Sequence, residues 1–378
     1  MSSLNTYASQ LADNTPKNAL RGHDVPTRAA SKRLNRTALL GAGVVVLFAV
    51  TVLLGSYTVT VPDFFRILTA HLTGGEKIPG ASFIVMENKL PRAVLAILIG
   101  VAFGLSGGLF QTMLRNPLAS PDVIGISYGA SAAAVLAIVV FGASGAAVSA
   151  AALAGAIGVA LVIYAISQGP SSGGPGGRGS GGRHGNAAGN RLILAGIGIA
   201  AALGAVVNFL MTRADIRTAS EALIWLNGSL NSANWERAGV LLASLAVLIP
   251  ALAFLAGPLR MLELGDDAAT ALGIRVNAVR FGLVITAVAL AAVATAAAGP
   301  VAFVAFLAGP IARRIIGRPS LPASAFTGAL IVLAADYFAY NVAPLVLAGT
   351  VLPVGVITGA LGAPFLLWLL VTSHRKEA

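Results

Sequence analysis

Few side chains in this chain can do chemistry, and their spacing excludes more than it allows. There is no cysteine, which removes disulfides, thiolate metal sites and cysteine nucleophiles. His23, His71, His184 and His374 stand singly, without the spacing that sets two imidazoles on one helical face, so no metal site is expected. No G-x-x-x-x-G-K-[ST] loop occurs, so no nucleotide-binding domain is expected within the chain. Asp336 is the one acid inside an apolar run, and a carboxylate in such a place is a functional candidate by default. A proton relay needs ionisable partners, and none lies in the middle of a run. A structural carboxylate, hydrogen-bonded within a helix bundle, is the expectation. Lys89 and Arg92 flank Leu90-Pro91 and, three residues apart, can share one face at the start of a helix; interfacial snorkelling accounts for them on pattern alone.

Two further stretches are ordered in their chemistry. Residues 111–131 join two apolar runs with a single cation, Arg115, the turn-forming pairs Asn116-Pro117 and Ser120-Pro121, and Asp122 where an N-cap would open the next helix. Gly125 and Gly129, one turn apart, would let another backbone come close. In residues 263–275, Leu264, Ala268 and Leu272 fall on one helical face. Asp266 and Asp267 sit where carboxylates favour the helix dipole, and Gly273 is a plausible stop. This predicts a short amphipathic helix outside the membrane, either a connector or a docking element.

The elements that hold these residues are set by composition. Of 378 residues, 57% are hydrophobic and 10% charged, with a mean hydropathy of +0.85. A soluble domain carries about 25% charged residues. Such a chain must lie in lipid, where long unbroken apolar runs mean helices. Apolar runs near 37–56, 90–114, 123–142, 145–167, 191–211, 238–257, 278–298, 323–341 and 352–372, with a shorter one at 300–312, predict about ten spans. Gly100, Gly104 and Gly108 predict a close-packing helix face. Residues 1–36 read as a basic disordered tail without a cleavable signal, and the Gly/Ser-rich stretch 168–190 as a flexible loop. With ten spans, 18 of the 25 Lys and Arg fall on the side of both termini, which places that side in the cytoplasm. The net charge of +11 then follows from topology, and no nucleic-acid partner is expected.

The stretch Gln111, Arg115, Asn116, Pro117, Leu118, Ala119, Pro121 and Gly125 resembles the Q-x-x-x-R-N-P-L-A-x-P-x-x-x-G signature of permease subunits of ABC importers for ferric siderophores, haem and vitamin B12. Leu264, Gly265, Ala269, Leu272 and Gly273 match that family's L-G-x-x-x-A-x-x-L-G. Further matches lie at Trp225 to Leu230, Gly299-Pro300, Phe303-Val304, Pro310, Arg313, Leu352 to Gly355 and Leu361 to Phe365. The resemblance covers roughly residues 38–372 and is nearest the siderophore branch. It implies an all-α membrane permease of the vitamin B12 importer (type II) fold in the bacterial cytoplasmic membrane. It also implies an identical or paralogous second permease subunit, two ATPase subunits carrying the ATP, and an extracytoplasmic siderophore-binding protein. No cofactor is implied for this chain. The 263–275 helix becomes an ATPase coupling helix, and the basic pair Lys89 and Arg92 a dock for carboxylates of the binding protein. The family's A-D-x-x-x-R is met at Ala335-Asp336, with Tyr340 in place of the Arg. Segment 212–235 is expected to contribute an outer gate, with Thr212, Thr218 and Ser220 as candidates. Haem or vitamin B12 as cargo, and ion-coupled secondary transport, are the rival readings.

Overall fold

The computed structural model describes residues 25–55, 57–75, 78–122, 125–167 and 184–374, and among them every regular element is a helix. In chain order these are α1 Val25–Leu53, α2 Val61–Thr73, α3 Ala81–Met113, α4 Ile126–Phe141, α5 Ala146–Ser167, α6 His184–Arg213 and α7 Ile216–Leu226. They continue as α8 Trp235–Leu262, α9 Asp266–Ala271, α10 Val276–Ala298, α11 Val304–Ile316, α12 Leu321–Val346 and α13 Val354–His374. Seven of these are long and apolar enough to cross a membrane, and α4 and α13 hold shorter apolar helices.

All ten apolar runs are helical, but their ends differ from expectation. Helix α1 begins at Val25, so residues 25–36, expected as tail, form its first turns; residues 1–24 lie outside the described residues. The expected loop 168–190 lies outside them through residue 183, and α6 is already helical at His184. Not foreseen is α2. Its N-cap Thr60 accepts from the Asp63 N–H, and Gly74 closes it in the left-handed region at φ 70°. It buries Ile67 and leaves Phe65 and Leu72 outward.

Helix α3 is the hub. Its glycine face packs on α12 so closely that a Cβ at Gly104 would sit 2.2 Å from the Ser324 carbonyl oxygen. In lipid no hydrophobic force draws helices together, so small residues that maximise contact decide the pairing. Helices α8, α10 and α11 also pack on α3. Ser106 donates from Oγ to the Ala287 carbonyl, 2.6 Å away, and fixes the height of α10.

Helix α11 has only 13 residues and does not reach across the bundle. Its first turn lies against the last third of α3, where Gly107 faces Ala305. Residues 299–303 reach that depth without helical structure, turned at Gly299 (φ 77°) and at Phe303, whose φ of 64° is unusual for a residue with a Cβ. Irregular backbone at membrane depth is tolerated only inside protein or beside a polar cavity.

Candidate functional site

Three features converge on the end of α3: the connection 114–125, the α8–α9 turn and a large cavity. At the end of α3, Pro310 lacks an N–H and leaves the Phe306 carbonyl of α11 without its helical donor. Gln111 fills the gap, donating from Nε2 to that oxygen at 3.1 Å. After α3 the chain turns on Asn116, whose Oδ1 accepts from the Leu118 N–H at 2.9 Å and whose carbonyl accepts from Ala119 at 3.1 Å. Pro117 rides the exposed outside of this turn. Arg115 takes a left-handed φ of 50° and donates through Nη2 to the Leu262 carbonyl, in the last turn of α8. A cation there also meets the negative end of the helix dipole.

Asp122 is not the expected N-cap. Gly125 holds that position at φ 86°, and the Asp122 carboxylate instead accepts from the Ser127 hydroxyl. Burial pushes the Asp122 carboxyl above its ordinary value, and the Ser127 hydrogen bond pulls part of the way back. Gly125 lies against Gly196 of α6, where a Cβ would meet the carbonyl oxygen at 2.9 Å.

From Leu262 the chain passes through Gly265 (φ 117°) into α9. The expected amphipathic helix is present, shorter than 263–275. Arg280 of α10 donates from Nη2 to both carboxylate oxygens of Asp266, at 2.9 and 3.0 Å. Ala269 is wholly buried, whereas Leu264 is 69% and Leu272 59% exposed, and Asp267 is also exposed. Gly273 stops the helix in the left-handed region, and Ile274 returns an N–H to the Ala269 carbonyl at 3.0 Å. The segment is held from behind and presents two leucines outward.

The cavity encloses about 1310 Å³. Asn116, Leu118, Ser120 and Asp122 form one end of its wall; Leu226, Pro300 and Phe303 form another part. Ser127, Tyr128 and Ser131 of α4 and Asn208 of α6 add polar groups to a mainly apolar lining. These four were not foreseen, because small groups of polar residues in an apolar run carry no motif and only the helix rotation aims them inward. Thr212, Thr218 and Ser220 are not in this wall. Thr212 donates to the Phe209 carbonyl at 2.7 Å, Thr218 donates to the Asp215 N-cap at 2.7 Å, and Ser220 is exposed. Of the expected gate segment 212–235, Leu226 does line the cavity, beside Pro300 and Phe303. A second cavity of about 240 Å³ is walled by Arg115, Gln111, Glu263 and Arg313.

At the far end of α3 the basic pair expected as a dock is turned inward in this chain. Lys89 and Arg92 are 6% and 7% exposed. Lys89 lies in a π turn, Ile84–Lys89, and donates from Nζ to the carbonyls of Val52, Leu54 and Tyr57, where α1 ends with unpaired acceptors. Arg92 makes a two-pronged pair with Asp336, both contacts 2.8 Å, donates to Asn231 Oδ1 at 3.2 Å, and lies over the Tyr340 ring at 4.2 Å. Asp336 is 1% exposed. Its partner is therefore Arg92, 244 residues earlier, and Tyr340 completes the cluster from a second π turn, Phe338–Val342. Neither cation is free to receive a carboxylate from outside.

Comparison with known proteins agrees with this architecture. The chain is 37% identical over 305 residues to the ferric enterobactin transport system permease protein FepG of Escherichia coli K12, covering 80% of this chain and 87% of that one. It is 35% identical over 356 residues to the Fe(3+)-citrate import system permease protein YfmE of Bacillus subtilis 168, covering 93% and 99%. The hemin transport system permease protein HmuU of Yersinia pestis is 33% identical over 302 residues, covering 78% and 85%. Among solved structures, a transporter assigned to the metal-chelate ABC type, in an inward-facing conformation, superposes with a TM-score of 0.73 at 22% identity, covering 89% of this chain and 98% of that one. That likeness establishes the fold. The model of the FecCD transport family matches residues 43–372, and with the helical bundle, the broken α10–α11 connection and the clamped α9 it shows that this chain belongs to the FecCD transport family.

Proposed function

We propose that this chain is the permease subunit of a binding-protein-dependent ABC importer that carries a ferric siderophore across the bacterial cytoplasmic membrane. The observation that carries the reading is the cavity. It is large enough for a chelate, mainly apolar and walled by the family signature loop, whose Arg115 reaches the α8–α9 turn with its exposed Leu264. Two relatives that match most of the chain are named for ferric enterobactin and ferric citrate.

In this reading two permease subunits, identical or paralogous, face each other across the path. Two separate ATPase subunits carry the ATP and seat α9 in a groove, with Leu264, Gly265, Asp266, Asp267, Ala269, Leu272 and Gly273 as the coupling segment. A binding protein delivers the chelate on the opposite side. Both termini face the cytoplasm. The chain makes and breaks no covalent bond and holds no cofactor or metal of its own. Ion-coupled transport fits poorly, because Asp336 is locked to Arg92 and no ionisable cluster of three or more acids and histidines occurs among the described residues.

The test is deletion of the gene followed by uptake of labelled iron on hydroxamate and catecholate siderophores and ferric citrate, with haem and vitamin B12 as controls. Loss for one iron chelate, restored by the wild-type gene, is expected. Loss confined to haem or vitamin B12 keeps the permease and replaces its cargo. Uptake that persists when the ATPase subunits are inactivated would overturn the ABC reading.

A further inference from the structure

We infer that Arg115 is a positioning residue of the transport cycle, tying the mouth of the large cavity to the segment on which an ATPase would act. The inference rests on the function proposed above.

The tie is a side-chain hydrogen bond between two segments that are each held by contacts of their own. On one side stands the α8–α9 turn. Arg115 donates to the carbonyl of Leu262, the last residue of α8, and the chain then runs through Glu263, Leu264 and Gly265 directly into α9. The Nη2 of Arg280, shared between the two Asp266 oxygens, and the buried Ala269 stop α9 from swinging independently. A push on the exposed Leu264 and Leu272 therefore moves the Leu262 carbonyl. On the other side stands the connection 116–122. Its turn is closed by the Asn116 side chain and carbonyl, and Asp122 is bound to Ser127 of α4. Asn116, Leu118, Ala119, Ser120 and Asp122 are wall residues of the cavity. What moves Arg115 moves the wall.

Two details separate this from an ordinary helix cap. Arg115 sits at a φ of 50°, a conformation that disfavours any residue with a Cβ, although a glycine would serve a simple turn better. And the tie spans open space. The 240 Å³ cavity beside Arg115 is bounded by Glu263 and Arg313, which form no ion pair within 4 Å among the described residues. The α8–α9 turn thus has free volume beside it toward α11, into which it can shift while Arg115 keeps the connection in step.

The experiment uses the complete transporter, with its ATPase subunits and binding protein, in proteoliposomes. Uptake of labelled chelate and ATP hydrolysis are measured together for wild type, Arg115→Lys, Arg115→Gln and Arg115→Ala. Wild type must first show binding-protein-dependent, ATP-driven uptake; if it does not, the proposed function fails and the variants are moot. Given that, chelate moved per ATP should fall by about tenfold in Arg115→Gln and Arg115→Ala, a typical coupling free energy. Arg115→Lys, which keeps an N–H donor of similar reach, should recover most of it. A glutamine variant with wild-type stoichiometry overturns the inference. So does a parallel fall of uptake and hydrolysis in the glutamine and lysine variants alike, which is the mark of a merely structural cap. Should the alanine variant fail to assemble, the lysine–glutamine comparison decides by itself.

Discussion

Arg92 and Asp336 show how a buried charge is made tolerable: two parallel hydrogen bonds, an amide oxygen on Asn231 and an aromatic face from Tyr340 take up the guanidinium's valences. Removing one partner leaves the other charge buried and alone. Arg92→Leu and Asp336→Leu should each destabilise the protein by about 3–5 kcal/mol, whereas the double variant should recover most of that loss. Thermal unfolding of the four proteins in detergent closes this cycle, and additive single effects would dismiss the pair. Asp122 makes a different prediction. Its carboxyl is raised by burial, so between its ordinary and its folded value the native protein binds a proton more readily than the unfolded chain. Its contribution is therefore favourable at low pH and is lost as pH rises through the folded value. Asp122→Asn should flatten that dependence and be relatively more stable than wild type at alkaline pH; an identical pH profile for the two would refute it. None of these pairings was legible in the sequence. Lys89 and Arg92 look like surface anchors beside Leu-Pro, because their partners lie tens to hundreds of residues away and only the fold brings them in.

Elements were far more legible, since a helix in lipid must satisfy its own backbone and announces itself as an apolar run. The glycine face of α3 and the α9 segment follow from spacing of four residues. What failed was anything that depends on breaking a helix. The π turns at 84–89 and 338–342 carry no glycine or proline signal of their own, and α2 is too polar to resemble a span. The 300–312 run is visible, but its low starting depth beside Gly107 is a property of packing. The coupling role proposed for the α9 segment rests on the exposed Leu264 and Leu272 that flank it. Replacing Leu264 and Leu272 together by lysine removes two apolar side chains worth roughly 1.5–3 kcal/mol each if fully buried in a partner. Co-purification of the ATPase with the permease should drop by at least about tenfold, while Arg280 still holds Asp266 and the permease stays folded. Undiminished co-purification would place the ATPase elsewhere.

At the scale of the molecule, one quantity organises the whole: which side each connection lies on. The 114–125 connection, the α9 segment and the α11–α12 turn belong to one end of the bundle. The contact of Arg36 Nη1 with the Ile315 carbonyl at 2.9 Å joins the middle of α1 to the end of α11 there. Helix α7 and the Arg92 cluster belong to the other end. The excess of Lys and Arg counted in the sequence on the side of the first end predicts that it faces the cytoplasm. Because the chain has no cysteine, single introduced cysteines report sidedness directly. Ser220 in α7 and Asp267 in α9 are both exposed. In intact spheroplasts a membrane-impermeant maleimide should label Ser220→Cys at once and leave Asp267→Cys unmodified until the membrane is opened. The reverse pattern would invert the topology, and with it the assignment of α9 to the ATPase side.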